Sequence, residues 1–181
     1  ITGLIIGFVL SSYEPWWKLI VASVLAIIFK YLIRLQRKHI FNPAGLGIFL
    51  TLIFFGASSQ WKGTYFWQII LPFGLYFSYK LKKIGIIMGY ALVSLTLFGI
   101  QAVSRQVDLW HIFGYLSYFY IFIMVIEPKT TPIKKTGQLF FGACLAGLIF
   151  ILTNLGVKFD IELFSLLVMN AAVPFLNKLR L

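Results

Sequence analysis

The stretch Arg34-Leu-Gln-Arg-Lys-His-Ile-Phe-Asn-Pro-Ala-Gly-Leu-Gly47 decides the fold of this chain. A basic cluster ends one apolar run, and Asn42-Pro43 begins the next run, which starts with small residues. Asn is a favoured helix N-cap, and Pro is a favoured first helical residue. Most other segments repeat this alternation between an apolar run and a short charged connection. The chain is therefore predicted to cross a membrane several times.

The composition excludes a water-soluble domain. Of 181 residues, 60% are hydrophobic and 12% are charged, and the mean hydropathy is +0.92. Soluble domains average about 45–50% apolar and about 25% charged residues. The net charge of +11 comes from basic residues in short loops, which fits orientation in a bilayer better than nucleic-acid binding. The single Cys144 lies within an apolar run, so the chain cannot form an internal disulfide.

The apolar runs are bounded by charge, Pro or Gly, and they lie at 1–10, 15–34, 43–56, 65–80, 84–103, 109–127, 137–155 and 161–177. Period-2 alternation is absent, so these runs are predicted to be helices. We predict an all-α membrane protein with about seven full spans and a truncated first span. Residues 1–181 would form one transmembrane domain. A span needs about 20 residues, so we expect that the natural N-terminus is missing before Ile1.

The distribution of basic residues predicts the orientation. When the spans alternate, twelve basic residues lie on one side: Lys30, Arg34, Arg37, Lys38, Lys80, Lys82, Lys83, Lys129, Lys134, Lys135, Lys178 and Arg180. Four lie on the other side: Lys18, Lys62, Arg105 and Lys158. Cytoplasmic loops are enriched in Lys and Arg. The sequence therefore predicts a multi-pass inner (plasma) membrane protein with a cytoplasmic C-terminus.

A weak internal repeat is visible in the positions of Glu-Pro and Asn. Glu14-Pro15 and Glu127-Pro128 each precede an apolar run, and the two are predicted on opposite sides of the membrane. Asn42-Pro43 begins the third run, and Asn170 with Pro174 lies in the last one. Inverted repeats place a binding site at their interface. This arrangement pairs Asn42 with Asn170.

Glu127 is the only acidic residue on the predicted cytoplasmic side. An ionisable group near membrane depth is a functional candidate, here a step on an ion or proton path. The alternative is an interfacial carboxylate paired with Lys129 or Lys134. Thr130 and Thr131 lie between two prolines ahead of a helix, where they could receive a flavin edge or an anion, or could cap that helix.

Asn42 and Asn170 are the remaining candidate binding residues. Asn42 also satisfies the rules for an N-cap, and Asn170, inside an apolar helix, must find a partner in a ligand or another helix. His39 is interpreted as a headgroup contact. It lies on the opposite side from His111, so the two cannot ligate one haem, and no metal cluster is apparent. Glycines are interpreted as close helix-packing positions: Gly45, Gly47, Gly85, Gly89, Gly142 and Gly147.

Several of these segments resemble the RnfD/NqrB family of membrane subunits in Rnf and sodium-pumping NADH:quinone reductase complexes. They are Ile1-Thr-Gly-Leu4, Pro15-Trp-Trp17, Phe41-Asn-Pro-Ala44, Glu127-Pro-Lys-Thr-Thr-Pro132 and Leu166-Leu-Val-Met-Asn-Ala-Ala-Val-Pro174. The resemblance implies ten helices in two inverted five-helix repeats, of which this chain would hold the last eight. It also implies covalent FMN on a Thr of a Ser-Gly-Ala-Thr motif in the outer loop after the Asn-Pro helix. The corresponding loop Gly56-Ala-Ser-Ser-Gln-Trp-Lys-Gly63 is shorter and lacks that motif. Glu127 stands where the family usually has Asp.

The resemblance implies a membrane subunit or domain of a flavin-dependent electron-transport complex, which couples electron transfer to cation movement. Its expected cofactor is a non-covalent flavin, FMN or riboflavin, near Asn42, Thr130, Thr131 and Asn170, with Glu127 on an ion path. Its partners would be the bilayer, other subunits, and a fused or adjacent flavin- and NAD(P)H-binding reductase domain. No residue of this chain is predicted to be catalytic, and whether the assembly is an enzyme stays open. Alternatives are a flavin-like small-molecule transporter or channel and a structural anchor.

Overall fold

A computed structural model describes residues 1–35, 38–108, 113 and 116–178. Some predictions concern other residues. Arg37 and Arg180 of the charge distribution, and His111, lie outside the described residues. The beginning of the run predicted at 109–127 lies there as well. All the contacts below belong to the described residues.

The described chain is mainly helical, and its helix bounds agree closely with the apolar runs. The helices are α1 Thr2–Val9, α2 Trp16–Leu32, α3 Pro43–Phe55, α4 Trp67–Lys80, α5 Ile84–Ser104, α6 Lys135–Asn154 and α7 Ile161–Lys178. A 3₁₀ turn, Lys62–Phe66, leads into α4. The only departure from the all-α prediction in the described part is a two-stranded antiparallel hairpin, β1 Arg34–Leu35 with β2 Lys38–His39.

Three helices in the described part are long and apolar enough to cross a membrane, namely α5, α6 and α7. Helix α3 is apolar but has only 13 residues. Large apolar side chains cover the outside of the helices, for example Ile27, Leu75 and Leu92, which are 56%, 47% and 71% exposed. These features identify an integral membrane protein. The count of seven full spans stays a prediction.

Two helix pairs pack backbone against backbone at glycines. A Cβ atom built on Gly142 of α6 would overlap the Ile86 carbonyl oxygen of α5. A Cβ atom on Gly47 of α3 would overlap the Ala22 carbonyl oxygen of α2. Small residues let membrane helices approach this closely. The packing interpretation is confirmed for these two glycines, but it is wrong for Gly147, which has open space around it.

A short π-helical segment, Tyr120–Val125, runs through the centre of the protein. Tyr120 and Met124 are completely buried, and they belong to the hydrophobic core formed with α1, α3 and the last two helices. Gly74 of α4 lies directly against the Phe122 ring. A helix with this wider hydrogen-bond pattern is rare and is often found at functional sites. The segment ends at the Glu127-Pro128 motif, so it positions that motif against the rest of the core.

The helices define two ends of the molecule. At one end, called the Glu127 end, the β-hairpin and the start of α3 meet residues 127–132 and the last part of α7. At the other, called the Asp160 end, the end of α1 is hydrogen bonded to the loop that follows α3. There the amide of Gln60 donates to the carbonyl of Val9 at 2.8 Å, and the amide of Ser11 donates to the carbonyl of Ser58 at 3.0 Å.

Candidate functional site

Asn42 is a buried N-cap at the Glu127 end. Its Oδ1 accepts a hydrogen bond from the Gly45 amide at 3.0 Å, which is the bond expected of an N-cap. Its Nδ2 donates to the carbonyl of Met124 at 3.2 Å. Its own backbone amide donates to Oδ1 of Asn170 at 2.9 Å. One residue thus connects α3 to both the π-helical segment and α7.

Asn170 completes this connection from the middle of α7. Its side chain is completely buried. While Oδ1 accepts from the Asn42 amide, Nδ2 donates to the carbonyl of Thr130 at 3.0 Å. An amide inside an apolar helix must find partners, and this one finds them in two other segments of the chain. The predicted proximity of Asn42 and Asn170 is confirmed.

The two threonines fold the 127–132 segment back on itself. Thr131 Oγ1 donates to the carbonyl of Glu127 at 2.8 Å, and Thr130 Oγ1 lies 3.3 Å from Glu127 Oε2. Both threonines are almost completely buried. Helix α6 begins at Lys135, and its N-cap Lys134 makes no side-chain capping bond. The capping alternative for the threonines is therefore wrong, because both hydroxyls bond to Glu127, earlier in the chain.

Glu127 forms an ion pair across the site with a residue that the sequence placed elsewhere. His39 Nε2 lies 3.1 Å from Glu127 Oε1, and the two side chains are 7% and 24% exposed. The interpretation of His39 as a headgroup contact is wrong, because the β-hairpin turns this ring inward. Its position three residues before Asn42 was the available signal, since a short segment before a buried N-cap stays near the core.

Lys83 is a further buried residue that the sequence did not single out. It directly precedes α5 and is 6% exposed, and its Nζ donates to the carbonyls of Pro132 at 2.8 Å and Thr131 at 3.5 Å. Burial of the ammonium lowers the pKa of Lys83 to about 8, and the positive charge of Lys38 lowers it further. In the sequence Lys83 looks like any other loop lysine, so no pattern distinguished it.

Two cavities flank the His39–Glu127 pair. The larger, about 510 Å³, is lined by residues that include Lys30, Asn42, Phe77, Phe122 and Lys129. The smaller, about 260 Å³, includes Thr130 and Asn170 in its wall, and His39 lines both. Small-molecule sites typically measure about 300–1,000 Å³, a range that includes the larger cavity.

The residues of the larger cavity fit a flavin in size and chemistry. Phe77 and Phe122 offer aromatic surface for a ring system, and Lys30 and Lys129 offer positive charge for a phosphate. The amide groups of Asn42 and Asn170 are bonded to the protein itself, so they shape the walls. Among the described residues, no group of three or more His, Cys, Asp or Glu side chains could hold a metal ion.

The helices, the lipid-facing apolar surface and the buried polar site define an integral α-helical membrane protein. The model of the NQR2, RnfD, RnfE family matches residues 68–180, which is more than half of the chain. The chain belongs to this family, and the resemblance seen in its motifs is confirmed.

Two relatives are named as the RnfD-type subunit of an ion-translocating oxidoreductase complex. The protein of Marinobacter nauticus is 24% identical over 249 residues, which cover 98% of this chain and 71% of the relative. The protein of Tolumonas auensis is 37% identical over 57 residues, which cover 32% of this chain and 16% of the relative. The first alignment is longer than the chain, so that relative has additional residues within the matched region.

Proposed function

We propose that this chain is a membrane subunit or membrane domain of a flavin-dependent electron-transport complex that couples electron transfer to cation movement. The observation that carries the proposal is the family match over residues 68–180, together with the two relatives named as subunits of an ion-translocating oxidoreductase complex. The buried polar network at the Glu127 end is the place where such a function would act, because it joins three segments around two cavities.

The proposed cofactor site is the larger cavity at the Glu127 end. FMN or riboflavin would bind there without a covalent bond, between the rings of Phe77 and Phe122. When bound, a flavin supplies one- and two-electron transfer. The protein's own part is to hold the ring system against aromatic surface, to supply positive charge from Lys30 and Lys129, and to limit access of water through the apolar wall.

The proposed ion path passes Glu127. This carboxylate lies in the wall of the larger cavity, and its partner His39 lines both cavities. A carboxylate beside an imidazole can accept and release a proton or attract a cation without a large movement of the backbone. The hydroxyl of Thr130 orients the second carboxylate oxygen.

The chain would work with partners. Its sequence contains no dinucleotide-binding fingerprint, so a flavin- and NAD(P)H-binding reductase domain would be a separate or fused neighbour, alongside other subunits. In this proposal the protein lies in the inner membrane with its C-terminus in the cytoplasm.

Purification in detergent tests the cofactor directly. We expect flavin absorbance that dithionite bleaches and that denaturation releases into solution, as a non-covalent cofactor requires. Phe77→Leu should reduce the flavin content, whereas Phe73→Leu, an exposed position on the same helix, should not. A colourless protein that carries labelled riboflavin into liposomes would contradict the redox proposal in favour of transport. A colourless and inactive protein would leave a structural anchor.

A further inference from the structure

The Asp160 end contains a third cavity, which the proposed function does not use. Its volume is about 760 Å³, within the range of small-molecule sites. Its lining includes Trp61, Tyr65, Trp67, Phe98, Ser117 and Glu162. None of the described residues that line it is a lysine or an arginine. The wall therefore combines aromatic rings with negative charge.

Glu162 is the uncompensated charge in this wall. The residue lies in the first turn of α7, and no ion pair joins it to a described basic residue. The helix dipole offsets part of the unfavourable free energy of a partly buried carboxylate at this position. A cation in the cavity would offset the remainder.

An unpartnered hydroxyl faces the same space. Ser117 is 9% exposed, it lines the cavity, and its Oγ has no hydrogen-bond partner among the described groups, although it lies close to the Glu162 carboxyl. Buried hydroxyls normally have a partner, and the exceptions require an explanation. A polar ligand beside Glu162 would supply one.

The aromatic part of the wall is firmly held. Trp61 adopts a left-handed backbone conformation, with φ at 50°, which bulky residues rarely adopt. Its Nε1 donates to Asp160 Oδ2 at 3.0 Å, and its ring packs edge-on against Tyr120 with 5.7 Å between centroids. Asp160 also accepts from the hydroxyl of Ser59 at 2.6 Å and from the amide of Leu163 at 2.9 Å. Asp160 therefore orients Trp61, and Glu162 keeps its charge for a ligand.

We propose that this cavity binds an organic cation, either a quaternary ammonium or a protonated amine. Aromatic faces attract such cations, and a nearby carboxylate adds direct charge attraction. A small inorganic cation would use Glu162 but gain little from five aromatic side chains, because it prefers oxygen ligands. This site is independent of the flavin proposed at the other end.

Equilibrium dialysis of radiolabelled choline against the full chain in nanodiscs, at constant ionic strength, tests the proposal. We expect saturable binding, and much weaker competition by the neutral isostere 3,3-dimethylbutan-1-ol. Glu162→Gln should weaken choline binding about tenfold or more because it removes the charge. Glu14→Gln, an acid at the same end outside the cavity, should leave binding unchanged.

A second pair of variants covers the case in which Glu162→Gln does not fold. Tyr65 is 75% exposed and lines the cavity, so Tyr65→Leu should weaken choline binding, whereas Tyr65→Phe, which keeps the ring, should restore it. Equal binding of choline and its neutral isostere would overturn the proposal. So would absence of saturable choline binding, or displacement of choline by sodium but not by potassium. Flavin absorbance is measured separately, so its presence or absence does not decide this experiment.

Discussion

At the residue scale, the Glu127 end depends on side chains that bond to backbone atoms of other segments. Asn42 reaches the Met124 carbonyl, Asn170 reaches the Thr130 carbonyl, and Lys83 reaches the Pro132 carbonyl. Such bonds hold irregular backbone where no helix pairs its polar groups. The segment that carries Glu127 is thus fixed from three directions.

Replacing Asn170 tests this arrangement. Asn170→Leu removes one acceptor and one donor, and it leaves the Asn42 amide and the Thr130 carbonyl buried without these partners. We expect a loss of about 1–3 kcal/mol in the free energy of unfolding, because unsatisfied buried groups are destabilising by this amount. Thermal unfolding in detergent measures it. Val168→Leu, at an exposed position on the same helix, should change little, and equal stability of the two variants would contradict the expectation.

Glu127→Gln tests the ion path. The amide keeps the size and the hydrogen-bonding atoms that meet His39 and Thr130, but it cannot be charged. We expect normal expression, flavin content and unfolding temperature, and a roughly tenfold slower coupled turnover, which corresponds to ~1.4 kcal/mol. Cation uptake driven by electron transfer in proteoliposomes is the measurement. Unchanged uptake would reduce Glu127 to a structural partner of His39.

Lys83 predicts a pH dependence of stability. Its pKa is about 8 in the folded protein and 10.5 ordinarily, so between these values the unfolded chain binds more protons. Stability contributed by this group therefore rises with pH from about 8 to 10.5, and below pH 8 the folded protein carries the full unfavourable free energy of the buried ammonium. Lys83→Met should remove this component from the unfolding profile, and Lys80→Met, at an exposed position, should retain it. Identical profiles would contradict the assignment.

The sequence predicted part of this site. The repeat paired Asn42 with Asn170 because two Asn residues occupied matching positions near prolines, and the structure joins them directly. His39 was misassigned, because a basic neighbourhood predicts solvent or headgroups and carries no information about a hairpin that turns one ring inward. Lys83 was missed, because its burial depends on where residues 131 and 132 come to lie.

At the element scale, apolar runs bounded by charge predicted helix positions well. Helices α3, α5 and α7 begin at the predicted residue, because Pro43, Lys83 and Asp160 mark their starts chemically. The π-helical segment was not predicted, because its wider hydrogen-bond pattern comes from packing against α4 and leaves no distinct residue periodicity.

Two glycines on α6 provide a matched test of helix packing. Gly142→Ala would place a methyl group against the Ile86 carbonyl of α5, which we expect to destabilise the protein by about 1–3 kcal/mol. Gly147→Ala meets nothing within 4 Å, and it should be neutral or stabilise by up to about 1 kcal/mol through helix propensity. Thermal unfolding compares them, and the reverse order would show that α5 and α6 are not packed this closely.

At the scale of the whole molecule, charge distribution and fold agree on two distinct ends. Lys30, Lys38, Lys83 and Lys129 cluster around the Glu127 end, whereas Glu14, Asp160 and Glu162 lie at the other. This asymmetry is the basis for the predicted orientation.

Reporter fusions test the orientation. Green fluorescent protein fused after Leu181 should fluoresce, and alkaline phosphatase at the same position should be inactive, because the first folds in the cytoplasm and the second outside it. Fusions after Val157, between α6 and α7, should give the opposite result. Phosphatase activity at the C-terminus would reverse the orientation of the whole protein.

The bond from Asn42 to the carbonyl of Met124 has an evolutionary consequence. A main-chain oxygen is present whatever residue occupies position 124, so that position can drift among apolar residues that fill the same volume while the joint persists. Position 42 has no such latitude, because it must cap a helix, donate from its side chain and offer its own amide at once. The permitted variation at this end is therefore lopsided: the recognising residue is restricted, and the recognised residue is interchangeable.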